Sequence, residues 1–224
     1  MYNIAQQVEN NTEKMKEVIA LFNQQQNEKF TGSSQMPAEI SHGGHELFDA
    51  KEAIGGLVGA LEHSLLYEPH IQDTELKQLM MRQKSYLTQL YNTIVETLQT
   101  GREPSVKTQT YNMPYGNNMI YGMEASQPKT PAQSVNEIND GCISGFMMGH
   151  LKACASHFTV TALETTNPVL RRVFADSVPN LIEMAFELFL YQNKNKYYQV
   201  AQLKPEDMQI YMNYFGKAQG QMPH

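Results

Sequence analysis

Residues 162–200 read ALETTNPVLRRVFADSVPNLIEMAFELFLYQNKNKYYQV. The stretch opens a helix at Asn167-Pro168. The asparagine amide can cap the first turn, and a proline at the first helical position costs no hydrogen bond. Leu170, Phe174, Leu181, Met184, Leu188 and Tyr191 then recur at helical spacing, which predicts one apolar face turned to a core. Pro179 falls inside the run and predicts a kink.

Residues 73–99 align with 167–193 without a gap, at a constant offset of 94. Asp73 meets Asn167, Leu76 meets Leu170, Lys77 meets Arg171, Leu87 meets Leu181, Ile94 meets Leu188 and Val95 meets Phe189. The same offset pairs His63 with His157 in the preceding helices. This reads as two helical hairpins of common design, although two unrelated amphipathic helices would share part of the pattern.

The first hairpin spans about residues 42–100. Its first helix starts near Ser41 or His42 and carries Leu47, Ala50, Ile54, Leu57, Leu61 and Leu65 at spacings of three and four. It stops at Tyr67-Glu68-Pro69. The second helix opens at Asp73 and carries Leu76, Met80, Leu87, Leu90, Ile94 and Leu98, with Gln83 interrupting, up to Gly101 at its C-terminal cap. The second hairpin spans about 135–193. Its first helix, Val135 to Leu163, is expected to bury Ile143, Phe146, His150, Ala153, His157 and Val160. A short helix at Lys204–Phe215 follows.

Residues 101–134 join the hairpins and contain four prolines among Gly, Asn, Ser, Tyr and Met. A connection this long usually has a task. A 26-residue helix is ~39 Å long, and thirty extended residues cover that distance with slack. The segment therefore reads as the long crossover of a four-helix bundle, packed along its outside in an up-down-down-up arrangement.

Before the bundle, residues 1–35 form an arm and linker. Ile4, Val8, Met15, Val18, Ile19 and Phe22 make a thin apolar stripe, and Thr31-Gly32-Ser33-Ser34 and Pro37 end it. The expectation is a partner-binding arm that lays its stripe in a groove of a neighbouring molecule, with folding back on its own bundle as the alternative. Residues 36–224 make the bundle domain.

Composition narrows the function classes. A net charge of −6 disfavours nucleic acid and anionic membrane as partners, since both need clustered Lys and Arg. No run approaches the ~20 apolar residues of a membrane span, and the polar N-terminus lacks a secretory layout. Cys142 and Cys154 sit ~18 Å apart on one helix, too far for a disulfide, and read as small core residues.

The 162–200 stretch also resembles the coat F domain of spore coat proteins. In that family an acidic turn precedes Asn-Pro-x-Leu-Arg, then a Glu-Leu-Phe-x-Tyr helix and a lysine-aromatic ending. Here these are Glu164, Asn167-Pro168-Val169-Leu170-Arg171, Glu187-Leu188-Phe189-Leu190-Tyr191 and Lys196-Tyr197-Tyr198, the last in place of a Lys-Gly-Trp-Tyr type. HGGHELFDAKEAIGG from His42 resembles the opening of longer members, so the likeness covers about 42–215. It implies an all-α, ferritin-like four-helix bundle in the coat of an endospore. The protein would be made in the mother-cell cytoplasm and assemble with other coat proteins, as a homo-oligomer, without catalysis. The competing expectation is a ferritin-like metal-binding protein or oxidase.

The residues offer that alternative little. A di-iron bundle needs two Glu-x-x-His pairs, and none falls within the four long helices. Glu183 and Glu187 have Phe186 and Leu190 where histidines are needed, and Glu75 and Glu96 lie near helix ends. His150, His157 and Glu164 share a stripe, but sevenfold steps of ~10 Å are too long for one ion. His42, His45, Glu46 and Asp49 lie near one face and read as a zinc site or, more simply, as a capped acidic helix start with histidines in a polar network. Cys154 and His157 could pair as thiolate and imidazolium but lack an orienting acid. There is no phosphate-binding loop. The expectation is no catalytic, metal or cofactor residue. Finally, Gly141, Gly145 and Gly149, continued by Ala153, recur every four residues opposite Gly55, Gly56 and Gly59. Each interior glycine costs ~1 kcal/mol of helix stability, so the two rows predict one close helix–helix contact, between the first and third helices of the subunit or between subunits.

Overall fold

A computed structural model describes Lys16 and residues 43–114 and 116–218. The rest of the N-terminal arm, and His42, lie outside the described residues. Four long helices form the bundle: α1 (Gly44–Tyr67), α2 (Thr74–Thr100), α3 (Asp140–Glu164) and α4 (Pro168–Lys194), followed by short α5 (Pro205–Met212). Short 3₁₀ turns at Glu68–His70 and Val135–Glu137 precede α2 and α3. Among the described residues the extended contacts are isolated bridges from Tyr121 and Gly122 to Val200.

Local chemistry sets the helix ends. The Asp73 carboxylate accepts from the Glu75 N–H and starts α2, and Gly101, at φ 64°, closes it with its N–H on the Thr97 carbonyl. The Asn167 amide oxygen accepts from the Val169 and Leu170 N–H groups, with Pro168 in the first turn. α4 continues through Pro179, whose missing N–H leaves the Ala175 carbonyl without its helical donor. One residue on, the Asn180 side chain donates to the Asp176 carbonyl and accepts from the Tyr111 N–H of the crossover.

In the ring of four, α1 contacts α2 and α3, and α4 contacts α2 and α3. Lys194 meets Glu75 at one end of α2, while Asn167 donates to the Gly101 carbonyl at the other, so α2 and α4 run antiparallel. Thr161 on α3 donates to the Asp49 carbonyl near the start of α1, which makes that pair antiparallel too. The crossover returns the chain along the α2–α4 face. Val106, Gln109, Tyr111 and Ile120 are fixed in turn to Thr93, Tyr86, Asn180 and Asn193. Leu57, Leu76, Leu79, Met80, Ile94, Ile143, Phe158, Leu170, Phe174, Leu181, Met184 and Leu188 fill the interior, with Phe158 and Phe174 packed edge to face.

The offset of 94 reappears as geometry. Asp140, the first residue of α3, accepts from the N–H groups of Gln72 and Asp73 in the α1–α2 turn, both at 3.0 Å. Glu46, at the start of α1, accepts from the N–H groups of Thr166 and Asn167 in the α3–α4 turn, at 2.7 and 3.1 Å. Each of these three residues is 94 positions from its counterpart. Each hairpin thus carries a carboxylate that caps the turn of the other, and the halves are related by a pseudo-twofold.

Two stripes lie differently from expectation. α1 buries Glu46, Ala50, Ala53, Leu57 and Ser64, while Leu47 and Leu65 are exposed. α3 buries Ile143, Ser144, Met148, Leu151, Cys154, Phe158 and Thr161, and leaves Phe146, Ala153, His157 and Val160 outside. The cause is common to both helices. The inward faces are built from small residues that admit a close neighbour, and some of the larger apolar side chains stay on the surface. The glycine rows also serve two contacts rather than one. Gly56 and Gly59 face Cys154 and His150 of α3, whereas Gly141 and Gly145 face Tyr197 and Gln192 beyond and within α4. A side chain at Gly149 would meet open space.

Candidate functional site

Polar groups in the middle of a bundle are where a ferritin-like protein would hold its chemistry, and here they converge on Glu187. Its side chain is fully buried on α4. The Arg82 guanidinium of α2 donates to one carboxylate oxygen at 2.7 Å. The Gln83 amide donates to the other at 3.0 Å and to the Met184 carbonyl at 2.9 Å. The Tyr111 hydroxyl, brought in by the crossover, donates to that second oxygen as well. Burial and the bond to Glu187 raise the Tyr111 hydroxyl above its ordinary pKa. Burial tends to lower the Arg82 pKa, but its hydrogen bonds and charge attraction to Glu187 and Tyr111 outweigh that and leave it raised. Tyr86 stacks edge-on against Tyr111 at 5.3 Å.

This arrangement satisfies a buried carboxylate with a cation and two neutral donors. It is poor metal chemistry, because an ion would meet one carboxylate surrounded by donors and a guanidinium. Among the described residues there is no cluster of three His, Cys, Asp or Glu that could hold a metal ion. Gln83, read from the sequence as an interruption, is the amide that Glu187 needs. Arg82 and Tyr111 were missed. The available signal was two polar residues, Gln83 and Glu187, at core-facing positions of helices with the same layout.

The histidine and cysteine candidates are dispersed. Glu46 is buried and committed to the α3–α4 turn, where the Thr166 hydroxyl also donates to it. His45 is exposed, 3.3 Å from Asp49 and 3.8 Å from Glu164, a surface polar network. His150 contacts the Gly56 carbonyl at 2.8 Å and meets His63 ring edge to ring face. His157 faces solvent. Cys154 is buried, and burial pushes its thiol up to about 11, the opposite of an activated nucleophile. Cys142 is a free thiol and half-buried.

The fold and its interior define an all-helical bundle with a strapped crossover, whose central polar groups bond to one another. The coat F domain matches residues 139–201, which is α3, α4 and the turn beyond. Over 202 residues the chain is 45% identical to spore coat protein F-like protein YhcQ of Bacillus subtilis (strain 168), covering 90% of this chain and 93% of that one. The crystal structure of a candidate spore coat protein from Bacillus halodurans C-125 has the same fold, with a TM-score of 0.54 and 12% identity over 75% of this chain and 99% of that one. The chain belongs to the coat F family of spore coat proteins. No helix among the described residues is long and apolar enough to cross a membrane.

Proposed function

We propose that this protein is a structural component of the endospore coat, made in the mother cell and built in through contacts with other coat proteins and with copies of itself, without catalysing a reaction. The relationship to the coat protein of Bacillus subtilis over nine-tenths of the chain carries this reading. The interior supports it. Glu46 and Glu187, the buried acids among the described residues, are spent on a turn and on an ion pair rather than held ready as base or ligand. A fluorescent fusion, expressed from the native promoter in a sporulating host, tests the assignment. Signal should coat the forespore and co-purify with the insoluble coat fraction. Diffuse mother-cell signal in mature sporangia would overturn it. The metal-binding alternative has its own measurement: two equivalents of iron per chain, held in the bundle and lost in Glu187→Gln, would replace the structural reading.

A further inference from the structure

The pseudo-twofold makes the two halves a control for each other, and they differ most on one face. Between α3 and α4 runs an open groove of about 500 Å³, lined by Lys152, Ala155, Ser156, Thr159, Val178, Ile182, Ala185, Phe186 and Phe189. Its floor is small because Ala155 and Ala185 stand there. Ninety-four residues earlier, the matching positions on α1 and α2 hold the larger Leu61 and Tyr91, which pack against the core. Ile182 on the rim is 56% exposed where the first half has Thr88, and Phe186 where it has Asn92. Ser156 and Thr159 donate to the Lys152 and Ala155 carbonyls of their own helix. The wall therefore offers methyl, methylene and ring surface, with Lys152 as its charged member. An apolar groove of this kind leaves burial energy unclaimed until something covers it.

We propose that the groove is filled by residues 3–22 of the same chain, docked as an amphipathic helix along α3 and α4. On a helix, Ile4, Val8, Met15, Ile19 and Phe22 form one row, while Glu9, Glu13 and Glu17 fall on the opposite side and face solvent. The groove extends from Val178 to Phe189, ~16 Å along α4, which about half of that row spans. The tether is suitable. The continuous described chain begins at Gly43, against Thr166 in the turn that joins α3 to α4, so the segment leaves at the end of the bundle where these two helices meet. The twenty residues 23–42, with Gly32, Ser33 and Ser34 among them, can reach on the order of 60 Å when extended. A connection of this length keeps the arm of the same molecule at an effective concentration of roughly millimolar, ahead of the arm of a second copy at ordinary concentrations.

Hydrogen exchange on the full chain, across a hundredfold range of protein concentration, tests this. The amides of residues 3–22 should be protected equally at every concentration. That protection should vanish in Ile182→Glu, a rim position already exposed and therefore harmless to folding, while the amides of α1–α4 keep theirs. Phe22→Ser in the arm should give the same loss. Protection that grows with concentration would mean that the arm of a second copy occupies the groove, and would overturn the proposal. So would an arm that exchanges freely throughout, or one that stays protected in Ile182→Glu.

Discussion

Removing Arg82 and removing Glu187 leave different things behind. Arg82 is about one-third exposed and can turn its guanidinium to water, whereas Glu187 is fully enclosed. Arg82→Met strands a buried carboxylate with only Gln83 and Tyr111 as donors, at a cost of about 3–5 kcal/mol. Glu187→Gln keeps the shape and loses a charge-assisted bond, costing about 1–3 kcal/mol. Urea melts of the two variants should rank in that order, and the reverse ranking would show that the Glu187 carboxylate is satisfied without Arg82. Cys154 gives a second test at this scale. Burial pushes its thiol up to about 11, above the 9.0 of a free thiol. Below pH 9 both states hold the proton and nothing changes. From there upward the unfolded chain ionises first, so stability falls as pH rises towards 11. Cys154→Ala should flatten that part of the stability–pH curve, and an unchanged slope would assign it to the buried tyrosines.

At the scale of elements, the reciprocal caps are unequal. Glu46 is fully buried and its turn includes buried Asn167, while Asp140 is partly exposed and Gln72 faces solvent. Glu46→Ala should cost about 2–4 kcal/mol and Asp140→Ala about 1 kcal/mol. Hydrogen exchange should show each variant loosening the turn of the opposite hairpin rather than its own. The glycine row separates in the same way. A Cβ at Gly145 would lie 3.1 Å from the Gln192 amide nitrogen, which already bonds the Gly141 carbonyl and Ser144. Gly145→Leu should therefore lower stability by roughly 1–3 kcal/mol. Gly149→Ala meets nothing within 4 Å and should raise stability by about 1 kcal/mol in thermal melts. These helices also explain what could be read in advance. α2 and α4 were legible because Leu76, Ile94, Leu170, Phe174 and Leu188 all point inward. α1 and α3 were legible as helices but only partly in their facing: Ala50, Leu57 and Ile143 are buried as expected, whereas Ala53, Ser64, Ser144 and Cys154 also line the core while Leu47, Phe146 and Val160 lie outside. Glu46 could be seen as a polar helix start, but its partners stand 120 residues away, beyond any local pattern.

On the scale of the whole molecule, the crossover divides into an anchored part and a loose part. Up to Ile120 its backbone and Tyr111 are tied to α2 and α4, Gly122 and Glu124 are then held by Val200, Gln199 and Lys196, and residues 125–136 are exposed throughout. Brief trypsin treatment should cut after Lys129 with little loss of helicity, and the two fragments should migrate together on a sizing column. Separation into free fragments would mean that the connection itself holds the hairpins in register.

A nick there would leave two separate hairpins, each holding the bend of the other. Two copies of one hairpin, paired about a twofold, would each have to supply the acid that seals the other's bend. Asp140 on Gln72-Asp73 and Glu46 on Thr166-Asn167 are that same bargain written twice in one polypeptide. A duplicated and fused gene leaves such a record. Such an origin would leave the two halves free to diverge, and Leu61 and Tyr91 in the first now stand where the second carries Ala155 and Ala185.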